Sequence, residues 1–315
     1  MPTMTINIHG CDGSFWTVHG EGAGAEGVAM GKDQVKGLFD APVRTEWRAG
    51  ARQEGGSLKG VWHEWRDLEL GFHVSAQRVS GGELEDIDSR FRQAFDYRED
   101  PWDHNSKLAK IEVVAPSGSS RFLDVQLYEA PDFNPGTDPY VVDHANPILP
   151  LRAGQPFWYE PDLVLTWTTA DVAGSGLIPV ANPTDLPANH KWICTRGDWV
   201  LPDVSWEGAP YKRKPGVAKL TGRDDRNRAI VMPTVGALEG GMTVDLDPME
   251  LMVRDAADTN LLGRMPVPGR YFEYQIPPKT QRQTVLPVSV TNAPEGGAMV
   301  KLVIPQRWTR PVGLQ

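Results

Sequence analysis

Residues 4–9, Met4-Thr5-Ile6-Asn7-Ile8-His9, alternate apolar and polar side chains and stop at Gly10. Residues 14–18 repeat the pattern after Cys11-Asp12-Gly13. Asp-Gly between two β-prone runs predicts a hairpin. Residues 43–47 and 68–74 read as further strands. The period changes at 83–97, "ELEDIDSRFRQAFDY". There Leu84, Ile87, Phe91, Ala94 and Phe95 fall on one helical face. Glu83, Glu85 and Asp86 sit at its start, and Arg90 and Arg92 come later, as the helix dipole favours. Pro101 closes the segment. Residues 108–114 and 121–128 alternate again around a Pro116-Ser117-Gly118-Ser119 turn. Residues 1–130 therefore predict a mostly β domain carrying one helix.

Residues 131–150 hold Pro131, Pro135, Pro139, Pro147 and Pro150, and keep the apolar Tyr140, Val141 and Ile148. They predict an extended connector lying on a surface. Beyond it no stretch reads as a helix. Short β-prone runs recur at 162–168, 176–180, 192–195, 199–204, 229–232, 242–246, 250–253, 270–276, 284–290 and 298–304. Many short strands between turns predict a β-sandwich or jelly roll over 151–315.

Composition supports this division. The chain has 315 residues, 40% of them hydrophobic and 23% charged, enough for two buried cores. Its 32 Gly and 27 Pro are spread along the whole length, as turns between short strands require. The net charge of −9 gives no bulk attraction for nucleic acid or an anionic membrane. Tyr211-Lys212-Arg213-Lys214 is the densest basic run and reads as a solvated loop. Cys11 and Cys194 are the two cysteines and give no disulfide framework or thiolate zinc site. They are expected as free thiols, in a compartment that is reducing during folding. The first thirty residues show no secretion signal, and no run approaches the roughly 20 apolar residues of a membrane span.

Several motifs invite chemistry. Gly22-x-Gly24-x-x-Gly27 matches a dinucleotide fingerprint, and Gly31-Lys32 a phosphate loop. The first needs a strand before it and a helix after it, because the helix N-terminus holds the pyrophosphate. Residues 28–42 lack a helical stripe and contain Gly31, Gly37 and Pro42. The second needs a Gly where Glu26 stands and Ser or Thr where Asp33 stands. Residues 19–33 are thus expected to be a glycine-rich surface loop between two strands. The seven histidines (9, 19, 63, 73, 104, 144 and 190) show no zinc-protease spacing, and His63 and His73 read as packing beside Trp62, Trp65 and Phe72. Asp245 and Asp247 share a strand face. As the two carboxylates of a glycoside hydrolase or a calcium site they lack further partners, and Asp247-Pro248 reads as a strand end. Gly174-Ser175-Gly176 is a turn rather than a nucleophile elbow. Arg196-Gly197-Asp198 is a turn before Trp199. Trp158, Trp167, Trp192, Trp199 and Trp206 could stack on sugars or fill a sandwich core. No catalytic, cofactor-binding or metal residue is assigned, and no cofactor is expected.

Fragments in order carry a resemblance: "INIHGCDGSFWTVHGEGAGAEGVAMG", "GLFDAPVRTEWRAGARQEGGS", "RAGQPFWYEP", "GGMTVDLDPMELMVRD", "GRYFEYQIPPKT" and "PQRWTRPVGLQ". Together they resemble the minor tail proteins of long, non-contractile-tailed bacteriophages of actinobacteria, of the distal tail protein (Dit) kind. The resemblance spans nearly the whole chain. It implies a tail-tube-like β-barrel or sandwich with one helix at 1–130 and a galectin-like β-sandwich at 151–315. It implies a homohexameric ring that joins the tail tube to the tail-associated hub proteins at the distal end of the virion's tail, after assembly in the host cytoplasm. DNA would pass through the lumen without specific binding, and residues 19–33 could order against a neighbouring copy. Two other functions compete with a structural, non-enzymatic ring subunit: a module binding host cell-wall glycans, and a jelly-roll glycoside hydrolase using Asp245 and Asp247.

Overall fold

A computed structural model describes residues 3–100, 102–103, 106–206 and 225–314. The basic run Tyr211-Lys212-Arg213-Lys214, together with Pro101 and His104, lies outside them. The chain is mainly β and forms two compact units, Met1–Glu160 with Trp308–Leu314, and Pro161–Arg307.

The first unit holds β1 (Thr5–His9), β2 (Phe15–His19), β3 (Val28–Lys36), β4 (Val43–Arg48), β5 (Ser57–His63), β6 (Arg66–Val74), the helix α1 (Leu84–Gln93), β7 (Ala109–Val114), β8 (Ser120–Leu127), the single turn α2 (Pro139–Val142), β9 (Ile148–Ala153) and the start of β10 (Trp158–Thr169). Its ladder runs β2-β1-β7-β8-β9-β6-β3, and β10 also pairs with β8. The alternation in β6 explains its place. Leu68, Leu70, Phe72 and Val74 point into the core, and Asp67 and Glu69 point out. The helix buries Leu84, Ile87 and Phe91 as its spacing predicts, and Phe91 meets Trp16 and Phe72 edge to face.

Two buried cations tie the C-terminal residues into this unit. Arg66 donates to the carbonyls of Pro156 (2.8 Å), Leu38 (2.8 Å) and Thr309 (3.1 Å), and burial pushes its pKa down to about 10. Arg121 donates to Glu160 (2.9 Å) and to the Arg310 carbonyl (2.9 Å), and its guanidinium lies 3.7 Å from the centre of the buried Trp308 ring.

Three local expectations change. Residues 19–33 are a loop only as far as Gly27. From Val28 the chain enters β3 and pairs with β6, with residues 31–34 bulging opposite Gly71. The apolar residues of β6 supply a partner edge that the polar stretch Gly31-Lys32-Asp33-Gln34 conceals in the sequence. Residues 131–150 lie inside the first unit, where they form α2 and enter β9 between β6 and β8. A second helix, α2, also joins the one expected.

The second unit holds the rest of β10, then β11 (Gly174–Asn182), β12 (Lys191–Cys194), β13 (Asp198–Pro202), β14 (Ala229–Val231), β15 (Met242–Asp245), β16 (Val253–Asp255), β17 (Thr280–Thr291) and β18 (Ala298–Trp308). Strands β16-β15-β12-β18-β10 form one sheet and β11-β17-β13-β14 the other. Inward residues of both, such as Trp192, Val244 and Leu302 against Val180, Trp199 and Val288, share one core. This is the sandwich arrangement. Gly174-Ser175-Gly176 is not a turn but the start of β11, where a Cβ on Gly176 would meet the Trp167 indole at 1.9 Å. Residues 270–276 form no strand and contribute only the isolated bridge Ala188–Ile276.

Candidate assembly surfaces

Among the described residues, strands β4 and β5 pair only with each other. Directly paired residues share a face. Val43 stands opposite His63, Thr45 opposite Val61 and Trp47 opposite Leu58, with Lys59 extruded by a bulge. One face therefore carries Val43, Thr45, Trp47, Leu58, Val61 and His63, and of these Val43, Trp47, Leu58 and Val61 are each about half exposed or more, Trp47 at 61%. The other face carries Arg44, Glu46 and Arg48. The Trp62 ring there lies over Gly60, where a Cβ would meet it at 2.5 Å. Arg44–Glu64 (3.2 Å) and Arg48–Glu46 (2.6 Å) are exposed ion pairs of small energetic weight.

A second exposed surface follows along the same stretch of chain. Arg152 on β9 makes two hydrogen bonds with Asp67, at 2.6 and 2.9 Å. Its guanidinium lies 4.3 Å from the Tyr128 ring centre and 5.1 Å from that of Trp65. Such planar stacking fixes a long side chain that would otherwise lose entropy on contact. A cleft of about 440 Å³ lies elsewhere on this unit, lined by His9, Phe15, Lys107, Lys110, Phe122 and Asp124 among others.

The residues singled out for chemistry are not brought together. Asp245 is buried and holds Lys191 at 2.7 Å and Arg254 at 3.8 Å. Asp247 accepts from the Met249 backbone and faces Arg307 at 3.5 Å. Each carboxylate is thus occupied by its own partners. Trp158, Trp192 and Trp199 are fully buried and present no face to a sugar, and Trp167 packs edge to face on Trp199. His63 meets the Pro42 carbonyl at 3.1 Å and the Phe157 ring, so packing accounts for it. His73 instead meets His144, 71 positions away. Gly31-Lys32 lies in the β3 bulge. Asp198 opens β13, with Gly197 bridged to Val235. Cys194 is buried and Cys11 half-buried, and both are free thiols. No helix among the described residues is long and apolar enough to cross a membrane. The exposed apolar face of β4 and β5 escaped the sequence pattern, because "SLKGVWH" carries a bulge that breaks its alternation.

No protein-family model matches the chain. The minor tail protein Gp27 of Mycobacterium phage D29 is 24% identical over a 346-residue alignment covering 98% of both chains. Gp27 of Mycobacterium phage L5 matches at 24% identity with the same 98% coverage of both. Among solved structures, the Dit protein (gp 19.1) of SPP1, described as a paradigm of the hub adsorption apparatus in phages infecting Gram-positive bacteria, superposes with a TM-score of 0.54. The match covers 96% of this chain and 99% of that one at 13% identity. The chain is therefore similar over its whole length to mycobacteriophage minor tail proteins, and it has the fold of a Dit protein.

Proposed function

We propose that this chain is a structural component of a bacteriophage tail, a distal tail protein whose copies close into a homohexameric ring between the tail tube and the hub proteins of the tip. The observation that carries the reading is the β4–β5 hairpin. A lone two-stranded hairpin is marginal in water. Its face carries four exposed apolar residues, Val43, Trp47, Leu58 and Val61, beside Thr45 and His63, and such a concentration of exposed apolar side chains marks a surface that is covered in an assembly. A hairpin lent by each copy to the next is a head-to-tail contact, and such contacts close into rings when the rotation allows. Whole-length similarity to minor tail proteins supports the same role, and the Dit fold is compatible with it. The tail-tube-like role belongs to the first unit, Met1–Glu160 with Trp308–Leu314, and the galectin-like one to the second, Pro161–Arg307. No catalytic step enters this function. The net charge of −9 suits a lumen through which DNA slides without adhering.

The test is the mass of the purified native protein by light scattering, with negative-stain images of the same sample. A closed ring of about six subunits with a central hole is expected. A monomer that also fails to form rings on added tail tubes would overturn the reading.

A further inference from the structure

The cleft of about 440 Å³ on the first unit is built on one outward row of its sheet. His9 stands opposite Phe15 on one side and Lys110 on the other, and Lys110 stands opposite Asp124. Directly paired residues share a face, and the adjacent Ile8, Ile111 and Leu123 take the core side. A second row lies beside the first, in which Glu112 pairs with Asn7 and Phe122, and Phe122 with Tyr159. Strands about 4.8 Å apart put Phe15 roughly 14 Å from Asp124, so the floor of the cleft is elongated.

Lys110 and Asp124 are cross-strand neighbours of opposite charge, yet among the described residues they form no ion pair with each other. Lys110 Nζ instead lies 5.5 Å from the Phe122 ring centre and 5.6 Å from that of Tyr159. Asp124 Oδ1 accepts from the Tyr159 hydroxyl at 2.8 Å. Ring faces thus hold the ammonium without using its N–H donors, and the carboxylate keeps its second oxygen as an acceptor. His9 is fixed by Glu112 Oε2, which meets its Nε2 at 2.9 Å and accepts from Asn7 at 3.1 Å. The His9 and Phe15 ring centres lie 5.1 Å apart at 72°, and Phe15 stays 48% exposed. Glu99 and Lys107 complete the charged lining, so two carboxylates balance two ammonium groups.

We propose that this cleft binds an uncharged oligosaccharide, with Phe15 stacked on the apolar face of one sugar ring and Lys110 and Asp124 holding the hydroxyls of another. A sugar ring gathers C–H groups on a face that suits an aromatic ring, and its rim of hydroxyls both donates and accepts. A hydroxyl that donates to Asp124 Oδ2 and accepts from Lys110 Nζ uses both capacities at once. An anion in the cleft would be opposed by the carboxylates and a cation by the ammonium groups, whereas a neutral polar ligand meets neither repulsion. The volume falls in the range of about 300–1,000 Å³ usual for small-molecule sites. The span from Phe15 to Asp124 suits several linked rings rather than one. Every residue of the site belongs to one copy of the chain, so binding does not depend on ring closure.

The test is saturation-transfer NMR on the full-length chain with maltotriose, cellotriose and mannotriose as uncharged probes. Saturable transfer from at least one of them is expected. Trigalacturonate and the glucosamine trimer supply an anionic and a cationic counterpart, and both are expected to bind more weakly. Phe15→Ala removes an exposed ring and is expected to weaken binding by about tenfold or more, with the thermal midpoint unchanged. Phe15→Trp keeps an aromatic face, so it is expected to retain binding and to change its fluorescence as the trisaccharide is added. That second variant reads the site even if Phe15→Ala fails to fold. No saturable transfer from any uncharged probe, tighter binding of a charged one, or a Phe15→Trp emission indifferent to the sugar would each overturn the proposal, as would unchanged affinity in a folded Phe15→Ala chain.

Discussion

His190 shows how one buried residue links this fold to pH. It is fully buried beside Trp192, at a ring-centre distance of 5.8 Å, and burial pushes its pKa down to about 4. The Asp245 charge opposes that shift only in part. In the unfolded chain the same imidazole titrates near its ordinary value of about 6.5. Above that pH both states are neutral and stability is unaffected. Between about 6.5 and 4 the unfolded chain binds a proton that the folded chain refuses, so stability falls as pH falls. The shift corresponds to about 3 kcal/mol at the acid end. Urea midpoints measured at pH 7, 5.5 and 4.5 should decline steeply for the unaltered chain and less steeply for His190→Gln. Equal slopes would remove His190 as the cause. None of this was legible in the sequence, where a lone histidine two positions before a tryptophan carries no mark of depth. The same limit governed Trp158, Trp192 and Trp199. Their frequency was plain, but only the sandwich decides that these three are core and not platform.

Legibility at the scale of elements followed periodicity. The helix at 83–97 was visible because five apolar residues repeat at helical spacing, and α1 occupies Leu84–Gln93 within it. The β1–β2 hairpin was visible because Asp12-Gly13 separates two alternating runs. Strand β3 was hidden because a four-residue bulge of Gly, Lys, Asp and Gln interrupts it, and β5 because its own bulge shifts the alternation. The β4–β5 face carries the assembly argument, and it can be tested apart from the fold. Trp47→Ser with Val61→Ser replaces side chains that are 61% and 51% exposed. Exposed substitutions away from caps and cavities usually change stability by within about 0.5 kcal/mol each. The double variant should therefore keep the thermal midpoint of the unassembled chain while losing the ring in light scattering. Rings of unchanged mass and stability would assign the interface elsewhere, with the Trp65–Arg152–Tyr128 stack the next surface to alter.

At the scale of the whole molecule, the chain leaves its first unit after Glu160 and returns to it at Trp308. The two cores share no residue. The second unit is a single run, Pro161–Arg307, whose buried core residues all lie within it. The first is discontinuous, and its missing piece satisfies charge. Without Trp308–Leu314, Arg121 would lose the Trp308 ring and the Arg310 carbonyl, and Arg66 would lose the Thr309 carbonyl. Both cations are 1% exposed. Breaking the partners of a buried charge costs on the order of 3–5 kcal/mol, a large share of the stability of any domain. Proline punctuation at 131–150 could not reveal this, because contacts between residues 189 and 243 positions apart leave no periodic trace in a sequence. A fragment of residues 161–307 should therefore unfold cooperatively in urea, whereas residues 1–160 alone should lack a cooperative transition. Adding back a peptide of residues 305–315 should restore one, because it returns the aromatic ring and both carbonyls to their cations. A stable fragment 1–160 that ignores the peptide would show that the core of residues 1–160 alone holds the unit together.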